Sequence, residues 1–262
     1  SNGTFFHRVN LSVNNRFLRR MVKLPFWFLQ KIGLCIPYNY FALRRTFSRI
    51  KPDLVHVNNG GYPASFISQI AVFAARHSRV DKIVYHINNP AEKQGVLIDK
   101  MIDKKINQYV NYFITASRQA LESLSQERSF DVHKLVQVYN TIENPVITKS
   151  KNEICKIHNI NKDKFILCEV AFLSERKGQM YILRAFSKIK ELNPDIFSQM
   201  VLFLVGDGEY YYKLKQYCEN NALFNVIFTG YKANYIDYIA CSDIFLLPST
   251  GGEDMPLAVL TA

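Results

Sequence analysis

The stretch Phe165-Ile-Leu-Cys-Glu-Val-Ala-Phe-Leu-Ser-Glu-Arg-Lys177-Gly178, running on into Gln179-Met-Tyr-Ile-Leu-Arg-Ala-Phe-Ser-Lys-Ile-Lys-Glu-Leu192, decides the fold. Its first seven residues form an almost unbroken apolar run, the length of one buried strand, and the residues after Gly178 repeat apolar positions at helical spacing. Strand, short loop and amphipathic helix together make half of a βαβ unit, and such units build parallel sheets.

Working outward, the same alternation recurs on both sides. Toward the C-terminus the pattern predicts a strand over Met200 to Val205, a helix over Tyr210 to Asn220, a strand over Val226 to Thr229, a helix over Asn234 to Cys241 and a strand over Asp243 to Leu247. Toward the N-terminus it predicts strands over Asp53 to Asn58, Lys82 to His86, Tyr112 to Thr115 and Leu135 to Tyr139. Helices fall between them over Pro63 to His77, Val96 to Tyr109 and Ser117 to Ser125, with Ser117 as an N-cap. From Asn144-Pro145 to Lys164 the pattern lapses into a polar, Lys- and Asn-rich stretch, which places one domain over residues 1–145 and a second over 146–262. The fold class is therefore α/β, with two Rossmann-like parallel-sheet domains.

Composition agrees with a globular chain, since 48% of the 262 residues are hydrophobic and 21% charged. The five cysteines are scattered without short spacings, which argues against a disulfide framework or a zinc site and for a reducing, cytoplasmic setting. The formal charge of +11 is concentrated: residues 1–52 carry ten Lys and Arg and no Asp or Glu. Phe17, Leu18, Phe26, Trp27, Phe28 and Ile32 are interleaved with those cations, a mixture suited to the headgroup zone of an anionic membrane. Lys23 and Lys31 interrupt any run of the ~18 uncharged residues a spanning helix needs, so the segment is expected to lie on a membrane, at its inner face, rather than cross it. The other reading is a solvated basic cap on the first domain. Nucleic acid fits less well, because no motif that reads a base accompanies the charge. No apolar segment with a small-residue cleavage site follows Ser1-Asn2-Gly3, so no secretory leader is expected.

In an open parallel sheet the carboxyl ends of the strands face one crevice, where ligands bind. Four loops occupy such ends: Ala171 to Gly178, Leu204-Val-Gly206-Asp-Gly208, Phe228-Thr-Gly230-Tyr231, and Leu247-Pro248-Ser249-Thr-Gly-Gly-Glu253-Asp254-Met255-Pro256. This series resembles the C-terminal half of glycosyltransferase family 4, also called glycosyl transferases group 1. These are retaining enzymes of the GT-B fold, in which two Rossmann-like domains face a crevice. The likeness extends from about Asp53 to Ala262 and is strongest from Val170 onward. It implies that both domains are incomplete here. The first lacks the opening strand and glycine-rich loop of the family, and the second stops at Ala262 as a helix begins after Pro256.

The resemblance also implies roles. The donor would be a nucleotide diphosphate sugar, whose phosphates Lys177 would meet as a point charge, helped by Arg176 and by Gly178 at the helix start. Gly206 and Gly208 would let backbone approach the nucleotide, because a Cβ there would occupy ligand space, and Gly230 with Tyr231 would border the base. Glu253, an acceptor-only carboxylate, would hold two sugar hydroxyls, within a donor loop that includes Ser249, Asp254, Met255 and Pro256. Thr261 stands where the family has a ribose-binding glutamate. His86 would sit near the anomeric carbon, Asn140 would serve the hinge or the phosphate, and His56 and Asn58 would lie on the acceptor side. Other departures from the family are Ala171-Phe172 for Gly-Arg, Ile87 for Asp and Thr141 for Gly.

The function implied is transfer of a hexose, with retention, to a hydroxyl of a glycan or lipid-linked acceptor, with no metal and no cofactor. Rival readings are a degenerate GT-B protein that binds nucleotide or a partner without turnover, a sugar-nucleotide epimerase, and a basic membrane-surface adaptor.

Overall fold

The computed structural model describes residues 35–262. The basic aromatic segment assigned above to a membrane surface therefore falls mostly outside the described residues. Contacts divide the chain into two units, one ending at Val138 and the other beginning at Tyr139, seven residues before the expected boundary.

In the first unit, strands β1 (Leu54–Asn59), β2 (Lys82–Ile87), β3 (Tyr112–Thr115) and β4 (Leu135–Gln137) form one parallel sheet in that order. Strand β1 alternates: Val55, Val57 and Asn59 are buried while His56 and Asn58 are exposed. The reason is that the core gathers on one face, where Val55, Val57, Ile83, Tyr85, Ile87 and Phe113 meet Val72, Ile106 and Leu124 from the helices Phe66–His77, Leu97–Tyr109 and Arg118–Arg128. Ser117 caps the last of these helices, accepting from Ala120 N at 3.0 Å. A helix over Cys35–Ile50 packs on Phe66–His77, with the Tyr40 hydroxyl 2.6 Å from His77 Nδ1.

A buried polar network ties this unit's loops together. Asp103 takes hydrogen bonds from the Tyr62 hydroxyl at 2.7 Å and from Gln94 Nε2 at 2.7 Å, and it pairs with Arg128 Nε at 3.1 Å. Arg128 also donates to Lys93 O at 3.2 Å and lies over the Tyr62 ring.

In the second unit, β5 (Phe165–Val170), β6 (Met200–Val205), β7 (Val226–Gly230) and β8 (Ile244–Phe245) form a parallel sheet in the order β7-β6-β5-β8. Both faces are covered, as a run of apolar residues requires. Leu167, Leu202 and Leu204 pack with Ile182, Phe186 and Leu214 from the helices Gln179–Leu192 and Tyr211–Asn220. Ile166, Cys168, Phe203 and Val205 pack on the other face with Ile154, Tyr238 and Cys241 from the helices Lys151–Ile157 and Tyr235–Cys241.

Helix Lys151–Ile157 lies inside the stretch read as unstructured. A reciprocal capping box starts it: Ser150 Oγ accepts from Glu153 N, and Glu153 Oε2 accepts from Ser150 N at 2.8 Å. Likewise Asn193-Pro194 both ends one helix and opens another over Pro194–Gln199, because proline's fixed φ and missing N–H suit a first helical position. The fully buried Asp237 joins helix Tyr235–Cys241 to the segment before Ser150. It accepts from Thr148 N at 2.7 Å, Thr148 Oγ1 at 2.6 Å, Lys149 N at 3.2 Å and Asn234 Nδ2 at 2.8 Å.

Candidate donor site

The order β7-β6-β5-β8 contains a switch point. From β5 the chain builds outward through β6 and β7, then returns to place β8 on the opposite side of β5. Loops leaving the carboxyl ends of β5 and β8 therefore diverge around a common gap, where open α/β sheets bind ligands. These two loops carry Arg176 and Lys177 on one side and Ser249 to Pro256 on the other.

They are joined by specific bonds. Thr250 donates to Arg176 O through its backbone N at 2.8 Å and its hydroxyl at 3.1 Å. Arg176 Nη1 in return donates to Gly251 O at 2.9 Å, Gly252 O at 3.0 Å and Glu253 Oε1 at 3.0 Å. Lys177 Nζ donates to the same Glu253 oxygen. Burial opposes ionisation of Glu253, but hydrogen bonds from Lys177 and Ser249 and the charges of Lys177 and Arg176 outweigh it and hold the carboxyl below its usual range. The site thus presents two cations and one ionised acceptor. Phe172, at the position of the family arginine, is exposed, and it is Arg176 that brings a guanidinium to the acidic loop.

The glycines also answer a constraint within the chain. A Cβ on Gly206 would come within 1.9 Å of Ala171 O, one on Gly208 within 2.2 Å of Leu173 O, and one on Gly178 within 2.1 Å of Pro248 O. Each close approach is to the chain's own backbone, so these glycines seat one loop on another. Leu173 N donates to Asp207 O and Tyr210 N to Leu173 O, which completes the seam. Gly230 has a φ of 70° and open space around it, and Tyr231 beside it is exposed.

Asn140 braces the acidic loop from its far side, its Nδ2 donating to Met255 O at 3.0 Å and its N lying 3.3 Å from Met255 Sδ. Met255 has a φ of 37°, an uncommon conformation for a residue with a side chain. Asp254 is buried, and both of its carboxylate oxygens lack a hydrogen-bond partner among the described residues. Pro256 precedes the short helix Leu257–Thr261, in which the Thr261 hydroxyl donates to Leu257 O at 2.8 Å. His86 belongs to the first unit, where its ring stacks on His56 at 5.8 Å between centroids, while Asn88 Nδ2 donates to Asn58 Oδ1 at 2.5 Å.

A cavity of about 610 Å³ opens beside these loops, lined among others by Ser174, Tyr181, Tyr210, Lys213 and Thr250. Neither Lys177 nor Glu253 lines it, so its volume does not mark the charged site. Two residues absent from the sequence reading lie directly beneath the first loop. Glu169 of β5 and Gln179 at the start of the next helix are buried, and Gln179 Nε2 donates to Glu169 Oε1 at 2.9 Å. The signal for Glu169 was a single acid within the apolar run of Phe165 to Ala171.

Residues 150–262 match the family described as glycosyl transferases group 1. An uncharacterized glycosyltransferase of Methanocaldococcus jannaschii is 27% identical over 232 residues, covering 85% of this chain and 56% of the relative. A second from the same organism is 28% identical over 173 residues, 65% of this chain and 43% of its own length. The chain thus spans about half the length of the curated relatives it matches. Among solved structures, Anabaena HepE in complex with UDP superposes with a TM-score of 0.69 at 18% identity, over 85% of this chain and 60% of that one. Sucrose-phosphate synthase of Thermosynechococcus elongatus gives 0.68 at 16% identity, over 88% and 59%. The fold is that of the GT-B glycosyltransferases.

Proposed function

We propose, from the match of residues 150–262 to the glycosyl transferases group 1 family, that the protein transfers a hexose from a nucleotide diphosphate sugar to a hydroxyl of a glycan or lipid-linked acceptor, with retention at the anomeric carbon. The observation that carries this reading is the shared contact of Arg176 and Lys177 with Glu253 across the two loops at the switch point. A diphosphate arriving there would compete with Glu253 for both cations. As it does so, the Glu253 carboxylate is released to accept from sugar hydroxyls. The leaving diphosphate is stabilised by those cations without a metal, and its oxygen assists deprotonation of the attacking hydroxyl. Crystals of Anabaena HepE with UDP-glucose give a fold neighbour of the same donor class.

We place the enzyme in the cytoplasm, peripheral to the inner membrane face through its basic aromatic N-terminal segment and serving cell-surface polysaccharide or glycolipid synthesis. No helix among the described residues is long and apolar enough to cross a membrane.

A second reading, a binding protein without turnover, is favoured by one observation: the Thr261 hydroxyl, in place of a ribose-binding carboxylate, is engaged by its own helix. Thermal unfolding against a panel of nucleoside diphosphates and their sugars separates the readings. A ligand at a hundred times its dissociation constant adds about 2.7 kcal/mol. Selective stabilisation lost in Lys177→Ala, together with donor turnover, supports the transferase. Stabilisation without turnover supports the binding protein, and no response from a folded protein sinks both.

A further inference from the structure

Strand β5 places Glu169 on the sheet face shared by Leu167, where its register partner on β6 is Leu204 and its neighbours belong to an apolar core. A carboxyl on such a face needs a reason, because burial without full pairing costs free energy. It accepts a hydrogen bond from Gln179, whose Nε2 also lies 3.4 Å from Phe172 O. Phe172 begins the loop that carries Arg176 and Lys177, and Gln179 is the first residue after that loop. One carboxamide therefore gathers the last strand residues, the loop's beginning and the loop's end.

We infer that Glu169, through Gln179, is a positioning residue of the donor site: the pair closes the neck of the Phe172–Gly178 loop and so sets how strongly Lys177 holds a diphosphate. This rests on the donor reading above. Burial pushes the Glu169 carboxyl up to about 8, against smaller opposing effects of the Gln179 hydrogen bond and the Lys177 charge. The acid is met from the loop by Lys177, from the helix by Gln179, along its own strand by Cys168 and across the sheet by uncharged Leu204. Near neutral pH it is a neutral acid, and the whole charge of Lys177 is available to an anion. Once ionised, it places a negative charge beneath that ammonium and weakens the anion's hold. Affinity for a diphosphate is therefore greatest below a pH of about 8 and falls as pH rises through that value.

The test is calorimetric titration of the full chain with UDP at about pH 7 and about pH 9, with Glu169→Gln run alongside to show the change that the titrations of UDP's own phosphate and uracil bring. The wild-type affinity is expected to fall by on the order of tenfold between the two. Glu169→Gln, which keeps the shape and cannot ionise, shows only the smaller change that UDP's own titration brings. Glu169→Ala, which opens the neck, binds weakly at both. The same fall in Glu169→Gln as in wild type overturns the inference while leaving the donor reading standing. Absence of UDP binding by the wild type, with other nucleoside diphosphates equally inert, removes the donor reading and this inference with it. If Glu169→Ala does not fold, the pH profile of Glu169→Gln alone decides.

Discussion

Lys177 and Glu253, 76 residues apart in sequence, meet through one carboxylate oxygen that also accepts from Arg176. The pair fastens the loop after β5 to the loop after β8, and it stores in one contact the two charges of opposite sign that a sugar diphosphate needs. Replacing either partner is expected to separate function from stability. Glu253→Gln should lower kcat/KM by roughly a hundredfold, through misplacement of the transferred sugar, while the midpoint of thermal unfolding stays close to wild type. Equal losses of turnover and stability would remove Glu253 from its assigned place.

The glycine contacts give a graded prediction. Gly206→Ala sets a Cβ against Ala171 O, where no flexible side chain can yield, and should cost more than about 3 kcal/mol in urea unfolding. At Gly230 the space is open and only the positive φ is penalised, so Gly230→Ala should cost about 1–2 kcal/mol. A reversed order would mean that the seam between the loops is looser than the structure shows.

Asp237 makes acid stability measurable. Burial favours its neutral form, but hydrogen bonds from Thr148, Asn234 and the Thr148 and Lys149 amides dominate and bring it from 3.8 down to about 2. A carboxyl whose folded value lies below its unfolded one contributes stability that is complete above the unfolded value and is lost as pH falls through the folded one. Unfolding of the wild type should therefore ease progressively between about pH 4 and pH 2. Asp237→Asn should be weaker at neutral pH and show less of that acid dependence, as read by denaturant midpoints across the range.

In the first unit, Arg128→Ala would remove the ion-pair partner of the buried Asp103, a change expected to cost about 3–5 kcal/mol. Arg128→Met combined with Asp103→Leu removes both charges, and should cost less than the two single substitutions add up to. Equilibrium unfolding of the four proteins measures the coupling.

Much of this architecture is legible in the chain because apolar runs and helical spacing report burial directly. Strands Tyr112–Thr115 and Met200–Val205 and helix Gln179–Leu192 lie where periodicity puts them. What periodicity misses are elements specified by caps. Ser150 and Glu153 spell a capping box in a polar stretch, and Pro194 opens a helix directly after another has ended. At the site, the charged residues were visible as types at loop positions, but their pairing was not. That Arg176 reaches Glu253 depends on the strand order β7-β6-β5-β8, which no local pattern encodes. The backbone seam at Gly206 and Gly208 is not legible either, because a sequence shows that a Cβ is missing and not which atom would strike it. Glu169 stands out little, since one acid among six apolar residues barely changes a strand's average.

The seam in which Gly206 lies on Ala171 and Gly208 on Leu173 also bears on redesign. An engineer who exchanges the Ala171–Gly178 loop for that of a relative with another donor preference changes the bed on which the loop after β6 rests. The smallest part that can be transplanted with its geometry intact is therefore both loops at once, cut within β5 and β6.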